Sequence, residues 1–160
     1  MKTISIKIIL MQEILMRKLH EYIRENNPDI LLQLEADTAV TKYLTNKVSA
    51  ADSLLHQLEN GQPGYIIQDA CMELLTQDLK PSRYNYICNI LEEEFESSYL
   101  QFKAAGIMHF EAINLIKYCK AVFDDLNFNE ENEGNRFLRY VIIGSISEYL
   151  ESNSEKEKCE

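Results

Sequence analysis

Residues 82–102 read SRYNYICNILEEEFESSYLQF, and the spacing within them decides the fold class. Tyr84, Ile87, Cys88, Leu91, Phe95 and Phe102 recur mostly three, four or seven positions apart, which lines one face of an α-helix. Glu92, Glu93, Glu94 and Glu96 fall mostly off that face, on the side a core-facing helix gives to water. Ser82 is a favoured N-cap, because its hydroxyl can accept from a free backbone N–H of the first turn. Lys80-Pro81 ends whatever precedes it, since the residue before a proline is pushed out of the α region. The spacing predicts a helix from Ser82 to Phe102.

Working outward, the same period recurs in five further segments. Leu10–Asn26 carries Leu15, Leu19, Tyr22 and Ile23 on one face, and Asn27-Pro28 ends it. Asp29 is a candidate cap for a long second helix, Ile30–Leu58, with a near-heptad stripe from Leu34 through Leu44, Val48 and Leu55. Thr38, Thr41, Thr45 and Ser49 lower helix propensity in its middle and predict a kink there. Gly61-Gln62-Pro63-Gly64 is the clearest loop. A third helix is expected over Ile66–Leu79, with Ile67, Cys71, Leu74 and Leu75 as its apolar side.

Past the quoted stretch, Gly106 suits a left-handed helix end. A fifth helix is expected over Phe110–Leu126, then an asparagine-rich acidic loop, then a sixth helix over Arg136–Glu151. Residues 1–9 form an arm in which Ile4, Ile6 and Ile8 alternate at strand period, so they either pair as a strand or fray. Residues 152–160 are expected to be a disordered acidic tail. The fold class is therefore all-α, one bundle of about six helices over 10–151.

Composition agrees. Apolar residues make up 46% and charged residues 26%, the balance of a globular domain, and five Gly with three Pro are too few for a turn-rich β protein. Formal charge is −10, distributed as about +1 over residues 1–47, −7 over 48–100 and −4 over 101–160. A phosphate backbone repels such a chain unless a basic face is segregated, and Arg17, Lys18 and Arg24 alternate with Glu13, Glu21 and Glu25. Direct nucleic-acid binding is not expected. The opening MKTISIKIILMQEILMRKL lacks the apolar run of a signal peptide, and no stretch of about twenty apolar residues is present, so a cytoplasmic protein without a membrane span is expected.

The residues also bear on chemistry. Cys71, Cys88, Cys119 and Cys159 stand 17, 31 and 40 positions apart, a spacing of neither zinc fingers nor redox pairs. The residues three before His20, His56 and His109 are Arg17, Ser53 and Gly106, so the Glu-x-x-His motif of di-iron bundles is absent. Asp125-Leu126-Asn127-Phe128-Asn129 starts like a calcium loop, but Glu130 stands where the glycine belongs and Arg136 where the bidentate glutamate belongs. No phosphate-binding glycine loop occurs. No catalytic residue, metal ligand or cofactor site is assigned.

What remains is a candidate partner surface: Arg83, Tyr84 and Tyr86 at the head of the quoted stretch, with the carboxylates Asp69 and Glu73 one helical turn apart. Tyrosine and arginine are enriched where proteins grip one another, although in a chain without tryptophan tyrosines also fill the boundary of a core. The reading is a non-catalytic protein that binds another protein or a second copy of itself. One alternative is a small-molecule binder or enzyme using Asp69, Glu73 and nearby tyrosines. Another is an acidic regulator of a DNA-binding protein, which needs the carboxylates of 48–100 to form one face.

LHEYIRENNPDIL at 19–31, EADTAVTKYL at 35–44, DACMELLTQDLKPSRYNYICNILEEEF at 69–95 and INLIKYCKAVFDDLNF at 113–128 together resemble the family of domain of unknown function 1896, from Bacteroides-type bacteria. The most specific matches are Arg24 with Pro28, Ala36-Asp37 with Tyr43, and Ser82-x-Tyr84 running to Glu94-Phe95; Glu92 stands where a tryptophan is usual. The resemblance implies an all-helical fold and an association with conjugative transposons. It carries no catalytic residues.

Overall fold

The structure is a computed structural model that describes residues 6–158. Ten α-helices and two short 3-10 turns make up its regular structure, with no strand among the described residues. The chain gathers into two compact units that divide between Lys80 and Pro81, the point that the sequence marks as a helix break.

In the first unit α1 (Ile6–Asn26) is the central element, packing against α2 (Pro28–Ala36), α3 (Val40–Ser49) and α5 (Gly64–Thr76). Ile8, Met11, Leu15, Leu19 and Ile23 repeat at three and four along α1, and the last three are fully buried. They close on Leu44, Val48, Leu55, Ile67, Cys71 and Leu75. The buried Asn27 turns the corner between α1 and α2, its side-chain amide donating to the carbonyl of Leu79 at 3.1 Å. This bond ties the corner to a residue fifty-two positions away, at the 3-10 turn after α5.

The long second helix expected over Ile30–Leu58 is instead α2, α3, the single turn α4 (Asp52–Leu55) and a 3-10 turn to Leu58. The region where threonines predicted a kink contains a full break. Thr38 takes φ +50 and the Ala39 N–H closes back on the Leu34 carbonyl at 2.8 Å. A second break falls at Ala50-Ala51, where Ala51 is fully buried and lets the helices approach. Asp29 is inside α2, and Asn27 is the boundary residue with Pro28 at the first helical position.

The second unit holds α6 (Arg83–Glu94), α7 (Glu96–Ala105), α8 (Met108–Tyr118), α9 (Lys120–Asp125) and α10 (Arg136–Lys158). Ile87, Ile90 and Leu91 of α6 pack with Leu115, Phe123, Leu138, Ile142 and Ile146 around a fully buried interior. The Ser82 hydroxyl accepts from the Asn85 N–H at 3.0 Å, the expected cap. Gly106 is left-handed at φ +72, and the Ile107 N–H reaches the Phe102 carbonyl at 2.9 Å to close α7.

The single helix expected from Ser82 to Phe102 breaks at Phe95, which leaves the helical region at φ −134, ψ 48 and packs its ring against the core. The helix expected over Phe110–Leu126 breaks likewise at the buried Cys119. These breaks, with those of the second helix, turn six expected helices into ten. The asparagine-rich loop holds itself: Asn132 donates to the Leu126 carbonyl at 2.9 Å and accepts from the Asn129 N–H at 2.8 Å, while Asn135 caps α10.

The ends also differ from expectation. Ile6 and Ile8 lie on α1 as helical residues, while Ile4 falls outside the described residues. Helix α10 continues past Glu151 to Lys158. No helix among the described residues is long and apolar enough to cross a membrane.

Two stability outcomes follow. Leu15→Ala and Ile90→Ala each remove a fully buried side chain from a different core and should cost about 2–5 kcal/mol in urea unfolding. Loss under 1 kcal/mol at either site would mean that the packing there is wrong. Thr38→Gly relieves a β-branched residue held at positive φ and should raise the melting temperature, whereas Thr38→Ala should not.

Candidate interaction surface

The five residues singled out in the sequence fall in different units. Arg83, Tyr84 and Tyr86 belong to the second, Asp69 and Glu73 to the first.

In the second unit the head of α6 is engaged within its own fold. The Arg83 guanidinium donates to Asp124 at 2.9 Å and lies over the Phe123 ring at 5.0 Å. Asp124 also takes a bond from Lys120 at 2.6 Å, and Lys120 with Arg83 holds its carboxyl below the usual carboxylate range. Tyr86 sets its ring edge-on to Phe128 and Phe123, with centroids 4.9 and 5.9 Å apart. Tyr84 shares a 3.3 Å hydrogen bond with Nδ1 of His109, and their ring centroids are 5.2 Å apart.

These tyrosines therefore fill the boundary of the core, Tyr84 with its hydroxyl on His109 and Tyr86 with its hydroxyl buried. Burial, followed by the neighbouring Cys88 thiol and Tyr99, pushes the Tyr84 phenol up to about 12. Burial likewise pushes the Cys88 and Cys119 thiols up to about 11, so neither is primed as a thiolate nucleophile. Among the described residues no three of His, Cys, Asp and Glu gather closely enough to hold a metal ion.

In the first unit Asp69 and Glu73 stand on the solvent-facing side of α5, in step with Tyr65, which is 71% exposed. Ile66 and Leu74 are exposed on the same helix. Beside the start of α5 runs a groove of about 380 Å³, lined by Lys7, Leu10, Met11 and Ile14 of α1 and by Leu58, Gly61, Gln62 and Gly64 opposite. Gly64 is both the groove's edge and the first residue of α5, with the Met11 side chain 3.8 Å from where a Cβ would stand. Ile6 and Leu10 continue the apolar surface along α1, 75% and 54% exposed.

The groove went unread in the sequence because its walls mix helix and loop. A signal was present, however: Ile8-Ile9-Leu10-Met11 puts apolar side chains on every side of the helix, and one buried face cannot cover them all.

The raised groups of the second unit set a pH dependence. Tyr84, Cys88 and Cys119 all bind their protons more tightly folded than unfolded. Their contribution is complete below the unfolded thiol value near 9.0 and is lost as pH climbs through about 11 and 12. Under reducing conditions the urea midpoint of this unit should fall across that window, and Cys119→Ala should flatten the slope. A midpoint that rises with alkalinity would contradict these burials.

The family model described as domain of unknown function (DUF1896) matches residues 14–154, across all ten helices. No curated protein and no solved structure matches the chain. The sequence motifs, the all-helical architecture and this match converge: the chain belongs to the family of domain of unknown function 1896.

Proposed function

We propose that the protein is a non-catalytic accessory protein that binds another protein through the groove and the outer face of α5. A role in the functions carried by a mobile genetic element is part of the same proposal, and it rests on the family resemblance alone. The observation that carries the binding reading is the groove lined by Leu10, Met11, Ile14 and Leu58, with exposed Ile6, Tyr65 and Ile66 on the two helices that flank it. Apolar side chains grouped at a concavity mark a binding site far more often than isolated exposed ones do. The occupant best suited to it presents an aliphatic or aromatic side chain to Leu10, Met11, Ile14 and Leu58, with basic residues alongside to meet Asp69 and Glu73.

Imitation of nucleic acid is the weaker reading. Asp78 pairs with Lys47, and Glu93 and Glu94 both pair with Arg139, which removes three carboxylates of 48–100 from any free anionic face. Asp69 and Glu73 line neither the groove nor the cleft between α7, α8 and α10.

A photo-crosslinking residue placed at position 10 or 65 in the native host tests the proposal. It should yield a discrete adduct with a protein, whereas the same residue at position 121 should not. Leu10→Asp should abolish the adduct formed from position 65 without moving the unfolding midpoint, because Leu10 is exposed. No protein adduct from either position, whether with a partner or with a second copy, would overturn the proposal.

A further inference from the structure

A second concavity lies entirely within the second unit, between α7, α8 and α10, with a volume of about 250 Å³. Its composition differs from that of the groove. Phe102, Ile107 and Leu150 give it an apolar side, while Ser98, Gln101, Asn153 and Ser154 supply hydroxyls and amides. Glu111 is the only charged side chain among the described lining residues.

Glu111 is held in place. The Tyr149 hydroxyl donates to its Oε2 at 2.9 Å. Tyr149 is braced from behind by the Tyr118 ring, 5.5 Å away and edge-on, and the Tyr118 hydroxyl reaches Glu148 at 3.3 Å. One carboxylate is thus oriented by a braced phenol, half out of water, and it makes no ion pair among the described residues. A carboxylate accepts up to about four hydrogen bonds, so most of its capacity remains for a ligand.

We propose that this cleft binds a small organic cation, an alkylammonium or guanidinium compound with a short apolar portion. The charge goes to Glu111, the amides and hydroxyls take the remaining donors, and Phe102, Ile107 and Leu150 cover the carbon chain. The volume sets the scale. Sites for drug-sized molecules hold roughly 300–1,000 Å³, so this cleft suits a smaller molecule. An anionic ligand is excluded by Glu111, and a wholly apolar one would strand the carboxylate and amides out of water. The site is independent of the groove proposed above, which belongs to the other unit, so either can fail alone.

The experiment is an amide-resonance titration of the full chain with butylamine, agmatine and putrescine, and with butanol and butyrate as neutral and anionic controls. The cationic probes should shift residues 98–111 and 150–154 saturably, and the controls should not. Glu111→Gln should weaken binding at least about tenfold, the worth of one charge-assisted bond. Tyr149→Phe should weaken it by less, and Glu130→Gln, at an exposed carboxylate outside the cleft and its bracing tyrosines, should leave it unchanged. Should Glu111→Gln fail to fold, Asn153→Leu within the same cleft serves as the second variant, with a matching loss expected. Butanol binding as well as butylamine would overturn the proposal. So would an absence of saturable shifts with all three cations, or shifts unaltered in the cleft variants.

Discussion

Burial of a single stripe of aliphatic side chains on α1 is what the first unit depends on. Leu15, Leu19 and Ile23 lose all contact with water, and α2, α3 and α5 are placed by the need to cover them. Each such side chain contributes roughly 1.5–3 kcal/mol when fully buried, more than any exposed ion pair supplies. The second unit repeats the principle with Ile87, Ile90 and Leu91 on α6 and the ring of Phe123. Polar chemistry is pushed to the rims, where it fixes geometry. Asn27 holds a corner, Arg139 clasps Glu93 and Glu94, and the asparagines fasten the loop before α10.

What could be read from the sequence follows from this hierarchy. Helical stripes, the Ser82 cap and the left-handed Gly106 are local, and each is where the residues point. The break at Thr38 falls where the threonines lower helix propensity, but those at Phe95 and Cys119 are tertiary: no glycine or proline marks them. Both are imposed because a continuous helix would carry Phe95 or Cys119 away from the core it packs in. The alternation of isoleucines at the start misled for a related reason. On an end that is apolar all round, strand period and helix period cannot be told apart.

The candidate residues divide along the same line. Arg83, Tyr84 and Tyr86 have the composition of a binding surface, but Arg83 and Tyr84 are bonded to Asp124 and His109, and the Tyr86 ring packs on Phe123, within their own unit. Asp69 and Glu73 remain exposed on the same helix as Tyr65. The groove and the Glu111 cleft both draw on residues far apart in the chain, brought together only by packing, and no linear motif announces either.

Residue-resolved hydrogen exchange in the native state tests the central claim most directly, because protection reports where cooperative burial lies. The slowest amides should be those of Leu15–Ile23 on α1 and of Ile87–Leu91 on α6, with Gly61, Gln62 and Gly64 at the groove exchanging fast. Protection concentrated in the loops, or rapid exchange along α1, would mean that the buried stripe does not organise the molecule.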